Sequence, residues 1–187
     1  GEMPEGWKGF NDVADSAWYA KAVDALAKKG LLKGVEGNYY RPDQKITRAE
    51  FVSILARIDG ADIDNQEAMR FKDVKKGAWY YNSIAWAVTN NIANGYGKEF
   101  KPNAPITREE MAVMLLNYTR YNIRIKLDKR SEGKEFADQN KISPWAKESV
   151  WMMQKAGVIG GKEKDRFAPK DHTTRAEVAE VIYRMIG

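Results

Sequence analysis

The chain has 187 residues, 43% of them hydrophobic and 30% charged, proportions that are typical of a folded globular protein and exclude a disordered or collagen-like chain. It contains no cysteine and a single histidine, His172, which excludes disulfides, thiolate nucleophiles, zinc–thiolate sites and multi-histidine metal sites. The net charge is +5, of which the segment 120–134 supplies +4, so a mild preference for polyanions is expected.

One sequence unit is written three times along the chain. Each copy opens on a Phe-x-Asp step, and a tryptophan, a Gly or Asn, a glycine and an aromatic-x-Pro step follow in the same order. Each copy also contains a Thr-Arg-x-Glu tetrad, and the tetrad threonines lie 60 and then 67 residues apart. We therefore predict one module over 1–187, with repeats at 7–58, 71–120 and 136–187 and connectors at 59–70 and 121–135.

A short helix is the first predicted element of each repeat. Small residues suited to capping precede it, and a residue suited to the left-handed conformation ends it. The capping residues are Ser16, Gly77 and Ser143, and the predicted helices run from about Ala17 to Gly30, Ala78 to Asn91 and Pro144 to Gly157.

Each of these helices carries a tryptophan in its first turn, at Trp18, Trp79 or Trp145. A partly exposed indole at this position would offer a flat platform for the apolar face of a sugar ring. The alternative is a packing residue in the core or between lobes. The sequence leaves both interpretations open.

A glycine stands four residues after each helix end, at Gly34, Gly95 and Gly161. Glycine permits a positive-φ turn, which is the favoured interpretation. It also permits a ligand to approach the backbone closely, and these glycines would then form the backbone wall of a binding groove.

A second helix is predicted after the tetrad threonine in each copy. Its apolar residues lie on one side, as Phe51, Ile54 and Leu55 show in the first copy. Two helices of about 12 residues cannot bury their apolar faces alone, so each repeat should need its neighbours. We expect an all-α fold of three helix-loop-helix repeats in one three-lobed domain, with independent tandem domains as the alternative.

The tetrad satisfies the capping-box pattern, in which the threonine hydroxyl and the glutamate carboxylate each accept from a free amide of the helix start. We therefore interpret threonine and glutamate as structural caps. The pairs are Thr47 with Glu50, Thr107 with Glu110, and Thr174 with Glu177.

The arginine of the tetrad is not explained by capping. A cation in the first helical turn opposes the helix dipole by about 0.3–1 kcal/mol, yet Arg48, Arg108 and Arg175 all stand there. Either a neighbouring carboxylate holds each arginine, or the arginine receives an external carboxylate or phosphate beside the exposed helix amides. We regard the second interpretation as the functional one.

The Phe-x-Asp step, the tryptophan, the glycine, the aromatic-x-Pro step and the Ile-Thr-Arg-Ala-Glu element together resemble the S-layer homology repeat. The resemblance covers nearly the whole chain apart from the connectors. It implies a pseudo-threefold helical module that fastens a larger, secreted surface protein to the bacterial cell wall. The implied ligand is an anionic secondary cell-wall polysaccharide that bears pyruvylated sugars.

The resemblance also implies where the glycan binds. The family's binding elements fall on Arg48, Arg108 and Arg175, with the nearby tryptophans as candidate sugar contacts, in grooves between adjacent repeats. Which arginine and which tryptophan share a groove is not determined by the sequence. Departures from the family pattern at Asn91, Gln139 and Thr173 lead us to expect that the third groove is the weakest or does not bind.

The sequence leaves three alternatives to glycan binding. A structural module could assemble a protein lattice without touching glycan, its arginines serving as internal ion pairs. The basic segment 120–134 could bind nucleic acid, but a charge run of this length is usually a solvated connector. An enzyme is disfavoured because no nucleophile–base pair or carboxylate couple stands out, and neither a metal, a cofactor nor membrane insertion is expected.

Overall fold

The structure is a computed structural model that describes residues 2–64, 66 and 69–187. Four residues lie outside the described ones: Gly1 of the predicted 1–187 module, and Asn65, Glu67 and Ala68 of the predicted 59–70 connector. Within those described, the chain forms six α-helices and no sheet, which confirms the all-α prediction. The helices are α1 (Ala20–Lys28), α2 (Arg48–Asp59), α3 (Tyr81–Thr89), α4 (Arg108–Tyr121), α5 (Lys147–Lys155) and α6 (Arg175–Ile186).

The first helix of each repeat begins three residues later than predicted. Tight turns precede α1, where the amide of Ala20 donates to the carbonyl of Ala17, and a 3-10 turn over Pro144–Ala146 precedes α5. The residues flanking these helices make no side-chain capping bond. Ser16, Gly77 and Ser143 therefore do not cap these α-helices as predicted, because a three-residue turn separates each of them from the helix start. Ser143 stands instead at the N-cap position of the 3-10 turn, without a side-chain capping bond.

The predicted ends of these helices are confirmed. Gly30, Asn91 and Gly157 have φ values of 72°, 57° and 71°. After α1, the amide of Leu31 donates to the carbonyl of Leu26 over 2.9 Å, the back-bonding that accompanies a left-handed helix end.

The second helices begin at the tetrads. In α2 and α4 both bonds of the capping box are made, from the glutamate amide to the threonine hydroxyl and from the threonine amide to the glutamate carboxylate. In α6 only the first is made, and the Glu177 carboxylate accepts from Arg108 Nη1 at 2.8 Å.

A closed ring of backbone hydrogen bonds joins the three tetrads at the centre of the molecule. The ring is formed by the residue before each tetrad. The amide of Ile46 donates to the carbonyl of Thr173 (3.1 Å), the amide of Thr173 to the carbonyl of Ile106 (3.0 Å), and the amide of Ile106 to the carbonyl of Ile46 (2.9 Å). Thr173 replaces an isoleucine here without leaving its hydroxyl unsatisfied, because Oγ1 also donates to the Ile106 carbonyl. The ring gives the fold its pseudo-threefold axis.

Helix packing follows the same cycle. The second helix of each repeat packs against the first helix of the next, α2 on α3, α4 on α5 and α6 on α1. One continuous apolar core runs through all three repeats. The three-lobed prediction is confirmed, and the alternative of independent tandem domains is wrong.

The Phe-x-Asp step holds the loop of its own repeat. Both carboxylate oxygens of Asp12 accept from backbone amides, those of Tyr40 and Arg41, at 2.8 Å each. Arg41 has a φ of 57°, a left-handed conformation that is unfavourable for a residue with a Cβ. Asp73 and Asp138 make the same pair of bonds in the other repeats, so the aspartate stabilises a strained turn.

Candidate functional site

Three surface grooves lie where the repeats meet, each built from all three repeats. An arginine comes from one repeat, a loop and the second helix from the next, and a tryptophan from the remaining one. Groove A contains Arg48, loop 94–96 and Trp145; groove B contains Arg108, loop 159–163 and Trp18; groove C contains Arg175, loop 32–35 and Trp79. Their volumes are about 330, 370 and 240 Å³.

The tetrad arginines lie at the floor of the grooves and are buried, with exposed fractions of 2%, 5% and 9% for Arg48, Arg108 and Arg175. Each Nε donates to the carbonyl of the aromatic residue in the neighbour's aromatic-x-Pro step, as from Arg48 to Phe100 at 2.9 Å. Each Nη2 donates to a carbonyl of the neighbour's loop, as from Arg48 to Asn94 at 2.9 Å. The arginines thus join adjacent repeats.

Two of the three arginines also have a carboxylate partner. Arg48 Nη1 lies 2.6 Å from Glu110 Oε2, and Arg108 Nη1 lies 2.8 Å from Glu177 Oε2. Arg175 has no carboxylate within 4.0 Å among the described residues. The neighbouring-carboxylate interpretation is therefore correct for Arg48 and Arg108, as expected from the cost of burying an unpaired charge.

The helix amides beside these arginines are not free. The amide of Arg48 donates to the carbonyl of Ala104, that of Arg108 to Asp171 and that of Arg175 to Gln44, each over 2.9 Å. The expectation that an external anion would bind exposed amides at the helix start is therefore wrong for these positions. The interface between repeats has already satisfied them.

The tryptophans are open to solvent on the groove rims. Trp18, Trp79 and Trp145 are 62%, 67% and 53% exposed, which excludes the core-packing alternative. Only Trp145 approaches an aromatic residue of another repeat, with its ring centroid 6.4 Å from that of Tyr96. The structure pairs Trp145 with Arg48, Trp18 with Arg108 and Trp79 with Arg175.

The recurring glycines line the grooves, but their missing side chain faces inward. A Cβ on Gly95 would lie 2.3 Å from Phe71 Cε1 and 2.4 Å from the Glu99 carbonyl oxygen. Gly34 and Gly161 face Phe10 and Phe136 in the same way, and none of the three has a positive φ. The favoured positive-φ interpretation is wrong, because glycine is required by packing against the Phe-x-Asp phenylalanine.

Several groove residues were not singled out from the sequence. Arg57 lines groove C, Asn117 occupies the corresponding place on α4, and Arg184 lines groove B, each nine residues after a tetrad arginine. Burial lowers the pKa of Arg57. This helical spacing places them on the face that carries the tetrad glutamate, a signal the sequence did contain.

Tyr96 is a further groove residue that the sequence did not single out. Its hydroxyl donates to Glu110 Oε2 at 2.6 Å. Burial, together with this bond and the charge of Glu110, raises the pKa of Tyr96. The hydroxyl therefore remains a donor at neutral pH and completes the bonding of the Glu110 carboxylate.

The basic segment 120–134 lies outside the grooves. Three of its cations pair with carboxylates, Arg120 with Glu148, Lys129 with Glu132 and Lys134 with Asp165. Its backbone is docked on the end of α5, where the amide of Arg130 donates to the carbonyl of Lys155 over 2.7 Å. These contacts fit a solvated connector.

Comparison with known proteins identifies the family. The sequence matches the S-layer homology domain over residues 9–52, 70–112 and 135–179, and the chain belongs to this family. It is 36% identical to Exoglucanase XynX of Acetivibrio thermocellus, over 95% of this chain and 16% of the relative. It is 35% identical to Amylopullulanase of Thermoanaerobacterium thermosulfurigenes, over 96% of this chain and 10% of the relative.

A third relative is the Surface-layer 125 kDa protein of Lysinibacillus sphaericus, which is 34% identical over 95% of this chain and 15% of its own length. The chain thus spans about a tenth to a sixth of these relatives. The matched domain is a non-catalytic anchoring module of cell-surface proteins, which some enzymes carry as an added part. No helix among the described residues has the length and apolar character needed to cross a membrane.

Proposed function

We propose that this module attaches a larger, secreted surface protein non-covalently to the bacterial cell wall by binding an anionic polysaccharide in its grooves. The polysaccharide is a secondary cell-wall polymer, and the anion is the carboxylate of a pyruvate ketal on its sugars. The repeats at 7–58, 71–120 and 136–187, with their two connectors, act as one binding unit.

The observation that carries this proposal is the pairing of an exposed indole with a buried guanidinium in every groove. A pyruvylated sugar combines an apolar ring face with a carboxylate. An indole rim suits the first, and a guanidinium bonded only to carbonyls, as Arg175 is among the described residues, suits the second. The grooves of about 240–370 Å³ could hold sugar units of a chain that continues into solvent.

A pull-down with purified cell-wall sacculi tests the proposal. Sacculi are used before and after mild acid hydrolysis of the pyruvate ketals, and retention should fall sharply after hydrolysis. Equal retention on both would overturn the proposed ligand. The triple variant Trp18→Ala/Trp79→Ala/Trp145→Ala should also lose retention while staying folded, because all three indoles are more than half exposed.

A matched control for this variant is Ile123→Ala, which removes an exposed apolar side chain from the connector. Ile123 is 74% exposed and lines none of the three grooves. Its replacement should leave retention unchanged. Comparable loss in the control and in the triple variant would mean that retention depends on general surface hydrophobicity.

One observation favours a second candidate function. Arg48 and Arg108 form internal ion pairs with glutamates, as expected of a purely structural module for lattice assembly. Such a module would be retained on sacculi irrespective of the ketals, or would not be retained at all. Light scattering of the purified protein without wall material would then show assembly.

A further inference from the structure

The three grooves share one design but differ in charge. Groove A is balanced, with Arg48 and Glu110. Groove C carries three basic residues, Lys33, Arg57 and Arg175, against Glu50 alone. Groove B is balanced, with three basic residues against three acidic ones: Arg108, Lys162 and Arg184 against Glu163, Glu177 and Glu180.

Arg175 contributes to the excess of positive charge in groove C. This side chain is only 9% exposed, and its Nε and Nη2 donate at 2.7 Å to the carbonyls of Tyr40 and Lys33. Its Nη1 has no acceptor among residues 2–64, 66 and 69–187. A guanidinium keeps its charge in proteins, so groove C contains a nearly buried cation without a counter-ion.

The grooves also differ in whether the residue after the groove glycine offers a donor to the tetrad glutamate. In groove A, Tyr96 donates to the tetrad glutamate, and in groove B, Lys162 Nζ lies 4.0 Å from Glu177. In groove C this place is taken by Val35, which offers no donor. Glu50 Oε1 accepts from the amide of Thr47, and Glu50 does not pair with Arg175.

Arg57 adds a second cation to the same wall. Its guanidinium makes a long hydrogen bond, 3.3 Å from Nη1 to the carbonyl oxygen of Leu31. In groove B the corresponding Arg184 is held by Glu180 at 3.0 Å, one helical turn away. Ser53 stands at the place of Glu180 in groove C, so the neutralising carboxylate is missing there.

We infer that groove C is the primary subsite for the anionic ligand and that Arg175 and Arg57 together receive its carboxylate beside Trp79. The inference rests on the proposed function and names the groove in which it operates. It reverses the sequence-based expectation that the third groove is the weakest. Asn91 and Thr173 lie at a helix end and in the central ring, and Gln139 lies in a short 3-10 turn; none of them lines groove C.

Isothermal titration with soluble fragments of pyruvylated wall polymer tests the assignment. Arg57→Gln removes one of the cations of groove C, and Arg184→Gln removes its counterpart from groove B. Arg57→Gln should weaken binding about tenfold, the scale of one lost charge-assisted bond, and Arg184→Gln should change it less than about twofold. Equal effects of the two, or a larger effect of Arg184→Gln, would overturn the assignment.

A second pair of variants adds a carboxylate instead of removing a cation. Ser53→Glu reproduces in groove C the glutamate that neutralises groove B, and Val113→Glu does so at the corresponding half-buried place in groove A. Only Ser53→Glu should weaken binding, again about tenfold. This pair decides the assignment if Arg57→Gln proves unfolded by circular dichroism, and weakening by Val113→Glu alone would contradict it.

Failure of the inference and failure of the proposed function give different results. If the wild-type protein binds pyruvylated fragments no better than fragments freed of ketals, the proposed function fails. If the wild type discriminates between them but the groove C variants bind as tightly as it does, only the groove assignment fails.

Discussion

Arg48 and Glu110 form a 2.6 Å ion pair across the boundary between the first two repeats, with side-chain exposures of only 2% and 9%. The same carboxylate caps its own helix, because Glu110 Oε1 accepts from the amide of Thr107 at 2.9 Å. One glutamate therefore starts a helix with one oxygen and fixes the neighbouring repeat with the other.

Replacement of Glu110 should be much more costly than replacement of Glu50. Glu110→Ala leaves the buried Arg48 without its counter-ion and should lower the free energy of unfolding by about 3–5 kcal/mol. Glu50→Ala loses a cap but no ion pair and should cost about 1 kcal/mol. Urea denaturation of both variants measures the difference, and equal losses would show that the ion pair adds nothing.

Asp138 should make stability dependent on acid pH. Burial raises the pKa of this carboxyl, but the backbone bonds from Phe167 and Ala168 outweigh it and hold the pKa below its usual range. A carboxyl whose pKa is lower in the folded state contributes stability above its unfolded value of about 3.9, and that stability is lost as pH falls through the folded pKa.

Asp138→Asn removes this titration and is expected to flatten the loss of unfolding free energy below about pH 4. It should also destabilise the protein at pH 7, by about 1–3 kcal/mol, because a charged acceptor of two amide bonds is gone. Denaturation between pH 2 and 7 provides the comparison. An unchanged acid slope would mean that other carboxylates dominate.

Gly95→Ala should destabilise the protein without any effect of backbone strain. The added Cβ would collide with Phe71 and with the Glu99 carbonyl oxygen, and such overpacking costs about 1–3 kcal/mol. Gly160→Ala is the control, because a Cβ there meets nothing within 4 Å and φ is not positive. Thermal melting should show a clear loss for the first variant and about 0.5 kcal/mol or less for the second.

Trp79→Ala should separate binding from stability. Its indole is 67% exposed, so the unfolding free energy should change by about 0.5 kcal/mol or less, whereas Trp86→Ala in the core should cost about 3–5 kcal/mol. Retention on sacculi should fall for Trp79→Ala and fall less for Trp18→Ala in groove B. Normal retention of Trp79→Ala would argue against a sugar contact at this rim.

The local elements could be predicted from the sequence because their causes lie within a few residues. Thr47 and Glu50 are three residues apart, and the side chain of each accepts a hydrogen bond from the backbone amide of the other at the start of α2. Gly30 ends α1 because the left-handed conformation suits glycine. The onset of α1 at Ala20 is not predictable from the sequence, because the choice between a tight turn and a helical turn depends on packing beyond the segment.

The family, the three repeats and the residues that recur in them follow from the sequence alone, because they depend only on residue types and their spacing. The pairing of Arg48 with Glu110, and the lack of a carboxylate partner for Arg175 among the described residues, are visible only in the folded chain. That difference depends on side chains from three repeats meeting in one groove. Residues such as Val35, Ser53 and Arg57 come together there only because the central backbone ring closes the repeats on one another.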